Sequence, residues 1–152
     1  MKTGLGKSVD MEPYYQYLVK EKYFDTMKDV MLLAIMIGFK NEQKMAINKY
    51  GGDAIREHIF KDDMPFLNII AVLSTKDIKV LLDENKDMKY SLLEQYAEAG
   101  MNIFVKEVFS GLYTNIDKIL EYVNSFNPGI STEKKDLSDL FGEIIDEMTQ
   151  ND

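Results

Sequence analysis

His58 and Arg56 are the single histidine and the single arginine of the chain, and they lie two residues apart. Such a pair can take part in nucleophilic or metal chemistry only when partner residues complete the site. The sequence has no cysteine, no second histidine and no histidine–glutamate metalloprotease spacing. We therefore interpret His58 as a structural or solvent-facing residue and assign no catalytic role to the pair.

Glu94 and Glu98 lie one turn apart in a predicted helix, a spacing also found in the carboxylate metal sites of helical bundles. Those sites combine glutamates with histidines of the same bundle, and this chain has one histidine. We therefore interpret the two glutamates as part of a solvated face.

Gly6-Lys7-Ser8 resembles the end of a phosphate-binding loop, but Met1 stands where that motif requires its first glycine. The sequence thus predicts no catalytic residue, no metal site and no cofactor.

The charge distribution disfavours direct nucleic-acid binding. The net charge is −8; residues 1–50 carry eight lysines against six acidic residues, whereas residues 130–152 carry two lysines against seven. A duplex-binding surface normally presents a basic stripe, which this sequence lacks. The absence of cysteine, and of an apolar secretory segment behind Lys2 and Lys7, favours a cytoplasmic location.

The longest apolar stretch, residues 26–39, predicts a central core helix. Thr26 and Asp29 have the spacing of a capping box, uncharged apolar residues follow, and Gly38 is a residue type that commonly ends helices. The stretch is shorter than the roughly 20 residues that a membrane span requires. We expect no membrane contact.

Helical spacing of apolar residues recurs along the rest of the chain, including residues 53–60, 66–73 and 92–104. Gly100 interrupts the last of these, so it either ends a helix or lets a neighbouring helix approach closely. The pattern predicts an all-α fold, a compact single-domain helical bundle of seven to nine helices. We expect a mobile N-terminal arm at residues 1–9, a helical domain at residues 10–126, and a linker with a C-terminal acidic amphipathic helix at residues 127–152.

The predicted C-terminal helix, residues 136–148, carries one narrow apolar stripe. We call these six residues the C-terminal stripe and expect them to bind a partner: Leu137, Leu140, Phe141, Ile144, Ile145 and Met148. The helix could fold back on its own core or lie in the groove of another protein. We expect the second arrangement, with a second copy of the chain as the simplest partner and a homodimer as the result.

Several short patterns resemble the family of DNA phosphorothioation (Dnd) system-associated proteins. They comprise Phe24 to Phe39 with Thr26, Asp29 and Gly38; Ile55-Arg56 with Ile59-Phe60; the apolar stretch at residues 68–73; and Glu94-Gln95-Tyr96-Ala97 with Gly100 and Ile103. The order matches along residues 24–109, although Glu98 and Ala99 depart from the family pattern, and no catalytic motif accompanies it. The resemblance implies a bacterial accessory protein encoded with DNA-modification or host-defence genes.

These observations lead us to expect a non-enzymatic accessory or adaptor protein that acts through protein–protein contacts. Two alternatives stay open. The first is a DNA-binding regulator that uses the basic N-terminal third and Arg56, with an affinity that falls steeply as salt rises. The second is an enzyme whose site the sequence does not reveal.

Overall fold

A computed structural model describes residues 1–125 of the chain. The predicted linker and C-terminal helix lie outside this part. Within it, the elements in chain order are strand β1 (Gly4–Ser8), helices α1 (Glu12–Lys20) and α2 (Met27–Lys40), strand β2 (Tyr50–Arg56), a 3₁₀ helix (Glu57–Phe60), helix α3 (Met64–Thr75), two further 3₁₀ helices (Ile78–Leu81 and Asp83–Asn85), and helices α4 (Lys86–Val108) and α5 (Ile116–Ser125).

The fold is α+β, so the prediction of an all-α bundle is wrong. β1 and β2 form a two-stranded antiparallel sheet in which Gly4 lies opposite Arg56 and Ser8 opposite Tyr50, with an irregularity between Leu5 and Lys7. The predicted helix at residues 53–60 is a strand followed by a 3₁₀ helix. The sequence analysis did not predict the strands, because neither shows a clear alternation of apolar and polar residues. β1 has only five residues, and β2 contains two glycines.

The N-terminal segment is part of the folded unit. All five residues of β1 are buried, and the strand lies between β2 and α4. The interpretation of residues 1–9 as a mobile arm therefore fails for residues 4–8. The division of the chain near residue 126 stays a prediction.

The capping box predicted at the start of α2 is confirmed. The Thr26 hydroxyl accepts a hydrogen bond from the Asp29 amide at 3.3 Å, and the Asp29 carboxylate accepts one from the Thr26 amide at 3.2 Å. The helix does not end at Gly38, however, but continues to Lys40. The predicted end of the helix at Gly38 is therefore wrong. Gly38 instead lies within α2, where the lack of a side chain lets a neighbouring helix pack closely.

Gly38 and Gly100 are the points where α2 and α4 touch through their backbones. A Cβ atom at Gly38 would overlap the carbonyl oxygen of Tyr96, and a Cβ atom at Gly100 would overlap the carbonyl oxygen of Ala34. Of the two readings of Gly100, the close approach of a neighbouring helix is therefore the one observed. α4 is the longest described helix and packs on α2, on β1 and on the shorter helices around it.

The hydrophobic core forms around α2, α3 and α4. Its fully buried side chains include Leu18, Met31, Ile35, Leu67, Ile70, Leu93 and Met101. α5 is peripheral, because Ile119 is its one fully buried residue. Within residues 1–125, no helix combines the length and apolar character needed to cross a membrane.

Replacing Ile70 by alanine should lower the free energy of unfolding by about 2–5 kcal/mol, because the side chain is fully buried and a cavity would replace it. Ile78→Ala is the matched control, since Ile78 is 66% exposed, and it should change the free energy by about 0.5 kcal/mol or less. Chemical denaturation measures both values. Equal losses at the two positions would contradict the burial of Ile70.

Candidate functional site

Glu94 and Glu98 are buried on the face of α4 that the chain packs against, with exposures of 3% and 6%. The interpretation of these residues as a solvated face is therefore wrong. They belong to the same helical arc as Tyr90, Leu93 and Ala97, which are also buried. A buried carboxylate needs hydrogen-bond partners, and for Glu94 these come from the N-terminal segment and the sheet.

Three groups converge on the Glu94 carboxylate. Its Oε2 atom accepts a hydrogen bond from the Gly6 amide at 2.6 Å, and its Oε1 atom accepts one from the Lys2 ammonium and a longer one from the Tyr50 hydroxyl at 3.3 Å. The Lys2 ammonium also donates to the Tyr50 hydroxyl at 3.1 Å. We call Lys2, Gly6, Tyr50 and Glu94 the Glu94 cluster. It ties the N-terminal segment and both strands to α4.

The charge of Lys2 is stabilised in this cluster. Burial alone would lower its pKa, but the hydrogen bonds to Glu94 and Tyr50 outweigh burial and raise the pKa above its usual range. The ammonium therefore stays charged at neutral pH, and the stability that its raised pKa reflects is lost as the pH rises through that pKa in alkaline solution. The backbone amide of Lys2 also donates to Asp87 Oδ1 at 2.7 Å, so α4 holds this residue at two points.

Lys7 is 2% exposed and lies on the other side of β1. Its ammonium donates to the carbonyl oxygen of Asp53 at 2.7 Å, lies 3.2 Å from Glu12 Oε2 and stands over the Tyr15 ring. Burial raises the pKa of Tyr15, and the charges of Glu98 and Glu12 raise it further, so this hydroxyl stays neutral. Lys7 therefore faces protein groups and does not form a phosphate-binding loop with its neighbours.

A third cluster of polar residues lies at the start of α4. Lys86 pairs with Glu57 at 2.6 Å, and the Tyr90 hydroxyl donates to the same carboxylate at 2.9 Å, so both lower the pKa of Glu57. Burial and the hydrogen bond to Glu57 raise the pKa of Tyr90 to about 12. Lys89 donates to Asn68 Oδ1 at 2.9 Å, and its burial lowers its pKa. These contacts join the first 3₁₀ helix and α3 to α4. These polar contacts therefore stabilise the packing of the fold.

The single arginine and the single histidine of the chain are both at the surface. Arg56, at the end of β2, and His58, in the following 3₁₀ helix, are exposed, which agrees with a solvent-facing histidine.

A cleft of about 140 Å³ opens beside the Glu94 cluster. It is lined by Ala46, Ile47, Tyr50, Ser91, Glu94 and Gln95. Among residues 1–125, no group of three or more metal-ligating side chains is placed to hold an ion.

The clearest candidate for a contact surface is an apolar row on α5. Ile116, Leu120 and Val123 recur at helical spacing and are 45%, 52% and 38% exposed. We call these three residues the α5 strip. The turn before the helix adds exposed Leu112 and Tyr113. Grouped apolar exposure of this kind is typical of interaction surfaces, whereas single exposed apolar residues are ordinary.

Comparison with known proteins places the chain in a family. Residues 9–140 match the family described as DNA sulphur modification system-associated protein 4. The chain belongs to this family. The match includes the whole of residues 24–109, where the resemblance lies, and confirms it. The family description gives an association with a DNA sulphur modification system and so an accessory place in it. No curated protein and no solved structure matches the chain.

The predicted partner-binding residues lie outside the described part of the chain. This applies to the whole C-terminal stripe, from Leu137 to Met148, of which the family match reaches only Leu137 and Leu140. The structure instead adds two features that the sequence analysis missed, the Glu94 cluster and the α5 strip. Leu120 and Val123 have helical spacing in the sequence, but spacing alone cannot tell which side of the helix the core covers.

Glu94→Ala should lower the free energy of unfolding by about 1–3 kcal/mol, because the buried amide of Gly6 would lose its acceptor. Lys2 adds little to the loss, since its side chain is 30% exposed and can turn towards water. Glu94→Gln keeps an acceptor for Gly6 and should cost less. Denaturant titration of each variant measures these changes.

Glu107→Ala is the control, because it removes the same side chain from an exposed position of the same helix. It should change the stability by about 0.5 kcal/mol or less. A Glu94→Ala variant as stable as Glu107→Ala would show that the Glu94 cluster does not hold β1 on α4.

Proposed function

We propose that the protein is a non-enzymatic accessory or adaptor of a DNA sulphur modification system, and that it acts in the cytoplasm through protein–protein contacts. Membership of the family supports the association with the system. The α5 strip is the observation that supports action through contacts. Each large apolar side chain gains about 1.5–3 kcal/mol when it is fully buried, so covering the strip would stabilise a complex.

The state of the buried polar groups supports a non-enzymatic role. Both oxygens of the Glu94 carboxylate accept hydrogen bonds from the protein, and the Lys7 ammonium donates to the protein backbone. Groups committed in this way position strands and helices. An enzyme that uses one of these groups would have to break the contacts that hold β1 in place.

The alternative of a DNA-binding regulator draws less support from the structure. Three lysines of the basic N-terminal third form ion pairs within the fold: Lys2 with Glu94, Lys7 with Glu12, and Lys28 with Asp63. A lysine that is already paired has less charge to offer to a phosphate. Arg56 is exposed, but one arginine does not make a basic stripe.

The proposed partner is a second copy of the same chain, bound through the C-terminal stripe. Six apolar side chains on one face of an acidic helix would be costly to leave in water, and an isolated helix of this length is marginally stable. Packing against another protein surface would remove both difficulties. A symmetric homodimer is the simplest such arrangement.

Phe141→Asp or Ile144→Asp should lower the apparent mass of the protein in gel filtration or solution scattering, because a charge would enter the proposed interface. Circular dichroism should show that the domain stays folded. Ser138→Asp is the matched control, since it adds the same charge beside the stripe and should leave the mass unchanged. A monomeric wild type whose thermal stability collapses on substitution would contradict partner binding.

The adaptor role itself can be tested with the purified proteins of the sulphur modification system. The immobilised wild-type chain should retain at least one of them, at least tenfold more than an immobilised unrelated acidic protein does. A chain that retains none of these proteins above that control would contradict the proposed mode of action.

A further inference from the structure

We propose that the α5 strip is the docking site for the C-terminal stripe of a second copy of the chain, so that two copies exchange residues 136–148. This inference rests on the proposed function, because it assumes that the protein self-associates. It adds the surface that receives the stripe. Each copy would then provide one donor segment and one acceptor helix, which gives two identical contacts about a two-fold axis.

The apolar arc of α5 is wider than its own core covers. Ile119 is buried, and Tyr122 packs edge-on against Phe104 at 5.8 Å between ring centroids. The α5 strip lies beside these residues on the helix surface, one residue further along at Leu120 and Val123, and stays exposed. The helix therefore has one apolar flank on the core and a second flank whose side chains stay 38–52% exposed within residues 1–125.

The predicted helix over residues 136–148 would be long enough to cover α5. At about 1.5 Å per residue, α5 is roughly 15 Å long, and a helix over residues 136–148 would be roughly 20 Å long. Both surfaces carry apolar residues at separations of three and four, the spacing from which helix–helix contacts are built. The stripe could therefore cover the whole length of the strip.

The length of chain after α5 favours a second copy as the source of the stripe. Ten residues, 126–135, separate the end of α5 from Asp136, and an extended chain of that length reaches roughly 33 Å. Two antiparallel helices of one chain need a loop of only about 2–5 residues. The connection is thus longer than a return to its own α5 requires and long enough to reach the α5 of a neighbour.

Disulfide trapping in the full-length chain tests the inference, because the protein has no cysteine of its own. Leu120→Cys is made in an untagged chain and Ile144→Cys in a chain with a mass tag. The two are mixed, refolded together and oxidised. A disulfide-linked heterodimer should dominate a non-reducing gel, with at least a fivefold excess over the control pair. That control replaces Leu120→Cys by Lys118→Cys, which is exposed on another side of α5.

A Val123→Cys chain repeats the test at a second position of the α5 strip if Leu120→Cys fails to fold. The double variant Leu120→Cys/Ile144→Cys shows which chain supplies the stripe. A disulfide within one chain would mean that the stripe covers its own α5 and would overturn the exchange. A dimeric wild type without preferential linkage would overturn the α5 strip as the site while leaving the proposed dimer intact. A monomeric wild type without linkage would overturn both.

Discussion

The backbone contact between α2 and α4 at Gly38 and Gly100 is the constraint on which the rest of the structure depends. Carbonyl oxygens of Tyr96 and Ala34 occupy the space that side chains would fill at the two glycines. This close approach fixes the rotation of α4 about its own axis. The helix consequently turns Glu94 and Glu98 towards the interior, where β1 packs.

The small sheet follows from that orientation of α4. A buried carboxylate is unfavourable unless hydrogen bonds satisfy it, and β1 and its neighbours supply an amide, an ammonium and a hydroxyl to Glu94. β2 then pairs with β1 and brings Tyr50 to the same carboxylate. Glu94 and Lys7, two polar residues that looked suited to chemistry, thus hold the strands. The α5 strip stays exposed at the surface, near the point where the chain continues beyond the described part.

Local patterns in the sequence predicted most helices but not the sheet or the buried glutamates. The Thr26–Asp29 capping box was sufficient to predict α2, and the apolar spacing was sufficient to predict α3 and α4. Each of these signals lies within a few residues of the chain. Glu94 shares its helical arc with Tyr90, Leu93 and Ala97, so its burial could have been inferred from spacing alone. The convergence of Lys2 and Tyr50 could not, because it requires strand pairing across some 50 residues. The α5 strip also depends on tertiary packing.

The most direct test of the contact is the free energy of unfolding of two variants, Gly100→Ala and Gly38→Ala. At each position, helix propensity and steric overlap change the stability in opposite directions. Helix propensity alone would make alanine more favourable than glycine by about 1 kcal/mol within a helix. Overlap with the Ala34 carbonyl should instead force α2 and α4 apart and lower the stability by about 1–3 kcal/mol. Chemical denaturation of the two variants should therefore show destabilisation in both. Stabilisation by about 1 kcal/mol in either would contradict the contact between α2 and α4.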